Sequence, residues 1–260
     1  MRENTGIAVS DYIEGAARSL AVLESFDVHR QRLNATQTAE RTGLTRAAAR
    51  RHLLTLSHLG YLESDGQHYW LAPRVLRLAG SYLASARLPR AVRPTLAELS
   101  SELRGTFCVA VLDGQESVIV ATSGERWGSD ESAPFGAHLG SRLPAFCTST
   151  GRVMLAGFPP TALRTWFQSC APVKLSAKTT TQKSQIAARI AAARRDGFCY
   201  ASEEHELGVH AIAVPLIDAT GQCVGALNAV DYVQSTSAEH LLKKVLPRLQ
   251  RAATKLRAML

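Results

Sequence analysis

The chain has 260 residues, 46% hydrophobic and 20% charged, the composition of an ordinary soluble protein with room for one large domain or two smaller ones. Its formal charge of +8 suits a polyanionic partner, yet residues 1–88 hold eleven Lys/Arg against eight Asp/Glu and the remainder nineteen against fourteen, so a nucleic-acid role must rest on local arrangement. Five widely spaced cysteines without a CxxC pair indicate neither a disulfide framework nor a zinc ribbon, and the lack of an apolar h-region or an 18-residue apolar run points to the cytoplasm and away from membranes.

Residues 1–11 are polar. From Tyr12 to Phe26, the positions Ile13, Ala16 or Ala17, Leu20, Leu23 or Val22, and Phe26 follow a helical period, with Asp11 as the expected N-cap. A charged connection over 27–33 leads to Asn34, which caps the next helix with Gln37 in the N3 place of a capping box. Gly43 stops that helix, and Thr45 caps a third one reaching Leu59. Ala49, Leu53, Leu56 and Gly60 form its buried stripe. Arg46, Arg50, Arg51 and Ser57 lie elsewhere on the cylinder. No Asp or Glu falls between Glu40 and Glu63, so Arg41, Arg46, Arg50 and Arg51 are expected to be unneutralised. A short helix with one apolar side, one cationic side and a turn before it fits the major groove of DNA.

Strands at Tyr61–Leu62 and His68–Leu71, with Asp65-Gly66 as the turn, form a wing directly after that helix. Pro73 starts a further helix through Ala86, Leu88-Pro89 interrupts it, and another runs over 90–103 to Gly105. These two read as a linker and dimer surface, or equally as packing onto the next domain. From Thr106 the apolar period becomes two: TFCVAVL, a turn at Asp113-Gly114, and SVIVAT. The stretch 124–137 reads as a loop. Helices follow near Thr148, from Pro160 to Phe167 and from Ser184 to Arg195. Three strands come next (FCYAS, VHAIAVPLI, QCVGALNAV), then a helix over 239–260 that Pro247 kinks or begins. Its lysines and arginines read as a solvated face. The second half is therefore α+β, with antiparallel hairpins, helices on one side and a centre able to hold a small ligand.

The segments ARSLAVLESF (17–26), ERTGLTRAAARRHLLTLSHLGYL (40–62), GSRLPAFCTSTGRVMLAG (140–157) and DGFCYASEEHELGVHAIAVPLID (196–218) resemble, in order and spacing, the IclR-type transcriptional regulators. TRAAARRHLLTL is similar to the branch that governs aromatic-acid catabolism, the protocatechuate and 4-hydroxybenzoate pathway regulators. The resemblance implies a winged helix-turn-helix domain (12–74), linker helices (75–104) and a GAF-like effector-binding domain (105–260). It also implies dimers or tetramers, an operator in double-stranded DNA, a small organic-acid effector and a possible contact with RNA polymerase. No cofactor is expected.

On the helix-turn-helix, Thr45, Arg46 and Arg50 lie toward the helix start, where base contact is expected; Arg51, Thr55 and Arg41 suit phosphate or flank contacts, and Gln67 and His68 sit on the wing. In the effector domain Arg142, Thr148, Ser149 and Thr150 flank a helix start, a carboxylate site in the making. Glu203, Glu204, Leu207, His210 and Ala211 occupy the second motif, with Glu203 or Glu204 accepting from a ligand hydroxyl and His210 donating to a carboxylate. Asn228, in an apolar strand, needs a partner for its amide. Hydroxybenzoate-like acids suit such a pocket, though size alone admits aliphatic keto acids. A sensing or protein-interaction module without DNA binding is the other reading. Catalysis is not indicated. CTSTG (147–151) lacks the first glycine of GxSxG, and HELGVH (205–210) spaces its histidines five apart where a zinc helix needs four.

Overall fold

The computed structural model describes residues 7–27, 30–123 and 138–260. The expected loop over 124–137, residues 28–29 of the charged connection and most of the polar N-terminus lie outside the described residues. The chain divides into two compact units, residues 1–84 and 85–260.

In the first unit, α1 (Glu14–Glu24), α2 (Ala35–Thr42) and α3 (Arg46–His58) precede a hairpin of β1 (Leu62–Ser64) and β2 (Tyr69–Leu71). The helix ends follow local chemistry. The Asn34 side chain accepts from the backbone N–H of Thr36 and Gln37, and Gln37 accepts from the Asn34 N–H. Gly43 closes α2 in the left-handed region (φ 71°), where a side chain would be strained. Thr45 caps α3 by accepting from Ala48 N–H. Val22, Phe26, Leu33, Leu53, Leu56, Leu62 and Tyr69 form the core. Two expectations need correction. Asp11 is not the cap of α1, because it belongs to a separate 3-10 turn and Ile13 holds the N-cap place without a side-chain bond. Of the expected stripe, Ile13 and Leu20 are exposed, whereas Val22 within α1 and Phe26 just beyond it are buried. The helix carries two apolar stripes, and only tertiary packing chooses between them. After a 3-10 turn at Pro73–Val75, α4 (Leu76–Ser85) buries none of its residues.

The second unit opens with α5 (Arg87–Leu103). The expected break between the two helices falls at Ala86, just before Leu88-Pro89, and Pro89 sits in the first turn of α5, where its missing N–H is no loss. Arg104, not Gly105, takes the left-handed C-cap. The strands are β3 (Thr106–Asp113), β4 (Glu116–Thr122), β5 (Arg142–Pro144), β6 (Cys199–Ser202), β7 (Val209–Ile217) and β8 (Cys223–Tyr232). They form an antiparallel sheet in the order β5-β4-β3-β8-β7-β6. The helices are α6 (Ser149–Ala156), α7 (Pro160–Ser169), α8 (Lys183–Asp196), α9 (Ala238–His240) and α10 (Leu246–Leu256). A π-helical turn at Leu241–Val245 precedes α10, and Pro247 lies in the first turn of α10.

Helices cover both faces of this sheet, not one. Ile186 and Ile190 of α8 and Val153 to Ala156 of α6 pack on the face that carries Cys108, Ala213 and Ala226. Leu96 and Leu99 of α5 and Leu249 and Leu256 of α10 pack on the face of Phe107, Ile212 and Leu227. The reason is visible in β8, where six consecutive residues are buried, a pattern that needs cover on both sides. Among the described residues no helix is long and apolar enough to cross a membrane.

Two contacts hold α6 in place. Gly151 lies so close to the Ala145 backbone that a Cβ would come within 2.3 Å of the Ala145 carbonyl oxygen. Arg152, fully buried, donates from Nη1 and Nη2 to the two carboxylate oxygens of Glu204 (2.6 and 2.7 Å) and from Nε to Phe146 O (2.9 Å). Burial opposes ionisation of Glu204, but the hydrogen bonds and charge of Arg152, then the charge of Arg189, outweigh it and hold the carboxyl below its usual range.

Gly151→Ala should destabilise the protein by about 1–3 kcal/mol in urea titrations, through overpacking against backbone that cannot yield. Arg152→Met should cost about 3–5 kcal/mol because Glu204 is left as a buried charge, while the double change Arg152→Met with Glu204→Leu should recover much of that loss. Glu204 has a depressed folded pKa, so its contribution should be present above the ordinary value of 4.5 and fade as pH falls through the folded value. A flat urea midpoint for the unaltered protein from pH 6 to pH 3 would contradict this.

Candidate functional site

The first unit presents a cationic helix. Arg46, Arg50 and Arg51 are exposed on α3, opposite the buried Ala49, Leu53 and Leu56, and make no ion pair among the described residues. Arg41 does not join them: its Nη2 donates to Asp27 at 2.6 Å, so the expectation that it is unneutralised is overturned. Asp27 lies 14 residues upstream, outside the acid-free window that the sequence displays. Thr45 is committed to the helix cap, and Thr55 donates back to Arg51 O. The wing turn is four residues long. Asp65 Oδ1 accepts from the N–H of Gln67 (2.9 Å) and His68 (2.7 Å), which fixes the backbone at both predicted wing positions. One cation was missed by sequence reasoning: Arg32 lies 4.3 Å from the centre of the Trp70 ring on β2.

The second unit holds a cavity of about 550 Å³, counted to its open mouth, between α6, the sheet and the β6–β7 loop. Thr148, Ser149 and Thr150 bound it at the start of α6, and Glu203, Glu204, Ala211 and Asn228 also line it. Thr148 is the N-cap, its Oγ1 accepting from Gly151 N–H. The Ser149 and Thr150 N–H groups stand in the first turn, where no intrahelical acceptor exists. Thr150 Oγ1 and Ser117 Oγ share a buried hydrogen bond of 2.8 Å. Cys108 Sγ donates to Asn228 Oδ1 at 2.8 Å, which leaves the amide nitrogen of Asn228 for another acceptor. Burial pushes the Cys108 and Cys147 thiols up to about 12, so neither is a nucleophile at neutral pH.

Several expected ligand contacts are corrected by the geometry. Arg142 does not line the cavity; it lies on β5 and its guanidinium is held by Asp113 (2.7 Å) and Glu116 (2.6 Å). Leu207 is 57% exposed and does not line the cavity. Glu204 lines the cavity, but both its oxygens are taken by Arg152 and one also by Arg189 at 3.1 Å. Glu203, with a left-handed backbone (φ 58°), pairs with Lys178 and accepts from Gly208 N–H. Its carboxylate ties down the loop. His210 is among the residues that bound the cavity, but strand alternation sends its ring to the opposite face of the sheet. Val209 and Ala211 pack with the α6 side of the sheet and Ile212 with the α10 side. The ring meets Tyr200, with Tyr200 Oη and His210 Nδ1 3.0 Å apart, and burial lowers its pKa.

Residues missed from the sequence are as informative. Arg152 stands as the lone charge in an otherwise apolar helix, a signal that a buried counter-charge exists somewhere. Cys108, Ile119, Leu143, His205, Glu206, Val209 and Val230 also line the cavity, as do Cys147 and Ala201. Nothing in their spacing marks them before the sheet is assembled. Among the described residues no cluster of His, Cys, Asp and Glu suits a metal ion.

Known proteins match both units. The pattern described as the IclR helix-turn-helix domain covers residues 15–66, and that of the bacterial transcriptional regulator IclR C-terminal region covers residues 80–258. The chain is 43% identical over 96% of its length to the Pca operon regulatory protein of Acinetobacter baylyi, covering 90% of that protein. It is 42% identical over 96% of its length to the p-hydroxybenzoate hydroxylase transcriptional activator of the same organism, covering 93% of it. Among solved structures, a double mutant of the PobR inducer-binding domain of Acinetobacter in complex with 3-hydroxybenzoic acid matches with a TM-score of 0.63 and 35% identity, over 66% of this chain and 98% of that one. With its helix-turn-helix, its sheet domain and nearly its full length matched, the chain belongs to the IclR family of DNA-binding transcriptional regulators.

Proposed function

We propose that this regulator binds a hydroxylated aromatic acid in the cavity beside α6, and that the bound acid governs how α3 reads an operator in genes of aromatic catabolism. The observation that carries the reading is the cavity itself. It joins open N–H groups at the start of a helix, which favour a carboxylate, to walls of Ile119, Leu143, Val209 and Val230 that suit a ring. The names of the two Acinetobacter baylyi relatives and the 3-hydroxybenzoic acid in the PobR domain support the same class of ligand. Thr148, Ser149, Thr150, Ala211 and Asn228 are the predicted contacts that we retain.

For DNA, we retain Arg46 and Arg50 as base readers and Arg51, Thr55, Gln67 and His68 as phosphate or flank contacts, with Thr45 positioning the helix start. Dimerisation is supported by α4, where Leu76, Leu78 and Tyr82 are exposed. Contact with RNA polymerase belongs to the same reading. The segment 75–104 connects the DNA-reading domain (12–74) to the effector domain (105–260), and coupling between the two sites is a free energy that either ligand can report.

Two measurements test this. Thermal melting of the full chain with 4-hydroxybenzoate or protocatechuate at about 100 times Kd should show stabilisation on the order of 2.7 kcal/mol. Stabilisation by a short keto acid alone would defeat the aromatic reading. In fluorescence anisotropy on a cognate operator, Arg50→Ala should weaken binding by about 1–3 kcal/mol. Unchanged affinity would remove α3 from the role of reader.

A further inference from the structure

We propose that Glu206 selects for a hydroxyl on the bound acid, so that the cavity takes hydroxy-substituted aromatic monocarboxylates in preference to the unsubstituted ring. This rests on the reading of the cavity as an aromatic-acid site. Three glutamates bound the cavity. Glu204 is neutralised by Arg152 and Arg189, and Glu203 by Lys178. Glu206 makes no ion pair among the described residues, and its Oε2 is buried without any hydrogen-bond partner. A buried polar atom left so is costly and is a place where a ligand group belongs.

The chemistry of that group is set by its surroundings. Among the described residues no lysine or arginine lines the cavity and no group donates to Oε2, so a donor carried by the ligand can take that place. A ligand carboxylate cannot supply it, since two acceptors would meet. The carboxylate instead finds the donors at the start of α6, and the phenolic O–H donates to Glu206. Burial raises the Glu206 pKa because it desolvates the charged form, a cost that a donor from the ligand would offset. The other buried and unpartnered nitrogen near the cavity, His210 Nε2, belongs to a ring on the opposite face of the sheet and does not compete. An acid without the hydroxyl leaves Oε2 desolvated and unpaired, which is how a polar site rejects an analogue that lacks one group.

The test is titration calorimetry of the full chain with 4-hydroxybenzoate and with benzoate, for the unaltered protein, Glu206→Leu and Glu206→Gln. The unaltered protein should prefer 4-hydroxybenzoate by about tenfold or more, the worth of one hydrogen bond to a charged group. Glu206→Leu should lose that preference by weakening 4-hydroxybenzoate while leaving benzoate unchanged or tighter. Glu206→Gln, whose amide oxygen still accepts, should keep much of it. The proposal is overturned if Glu206→Leu keeps the original preference, or if it weakens both acids equally, which would mark a structural role. Equal binding of both acids by the unaltered protein overturns it while leaving the cavity reading intact. Binding of neither acid brings down the cavity reading and the proposal together. Melting of unliganded Glu206→Leu at or above the original temperature shows that the fold is kept.

Discussion

The buried pair of Arg152 and Glu204 is the constraint around which the sheet domain is arranged. Arg152 comes from the second turn of α6, and Glu204 from the loop after β6. Thr179 Oγ1 donates to Glu204 O and Thr180 N–H to its carboxylate, which adds the stretch before α8 to the same knot. Phe146 O takes the remaining Nε–H of Arg152, which ties in the segment leading to α6. Three regions distant in sequence, around Phe146 to Arg152, Thr179 to Thr180 and Glu204, therefore converge on one guanidinium and one carboxylate. Such a pair returns little net stability over an apolar substitute, because both charges lose their water. Its contribution here is position: it fixes the first turn of α6, and with it the direction of the N–H groups that bound the cavity.

The sheet imposes the second constraint. Both faces are covered, so every side chain of β7 and β8 falls into one of two environments. Asn228 and Cys108 are directly paired in register and meet on the cavity face. His210 is one step out of phase with Ala211 and lands on the other face beside Tyr200. A shift of one residue along a strand thus separates a wall of the cavity from its back.

What was legible in the sequence was what local chemistry decides. Asn34 with Gln37, Gly43 and Thr45 act within four residues of themselves, and the helices they delimit formed as expected. The stripe of α3 was legible because that helix has one apolar side. Helix α1 has two, and the sequence offers no means of choosing. The misplaced site residues share a different cause. Arg41, Arg142 and Glu204 each met a partner 14 to 52 residues away, which removed a charge that looked available. Glu206 stood among three glutamates of one motif, and only folding reveals that its neighbours are neutralised and it is not.

These partnerships divide the cations of the chain by purpose. On α3 the arginines have no ion-pair partner among the described residues, which suits a polyanion whose binding releases counterions and is steeply salt-dependent. At the cavity Arg152 and Arg189 are engaged with Glu204, and among the described residues a carboxylate bound there as proposed would meet only the dipoles of a helix start. Such an interaction contributes about 0.3–1 kcal/mol when exposed and up to about 2 when sheltered. A full ion pair in the cavity would hold any acid of the right size, whatever its substituents. With the anion held only moderately, the contacts at the far end of the ring gain the larger share in deciding which acid binds. The cavity is in this way better suited to distinguishing acids than to retaining them, which is what a reversible sensor of a metabolite requires.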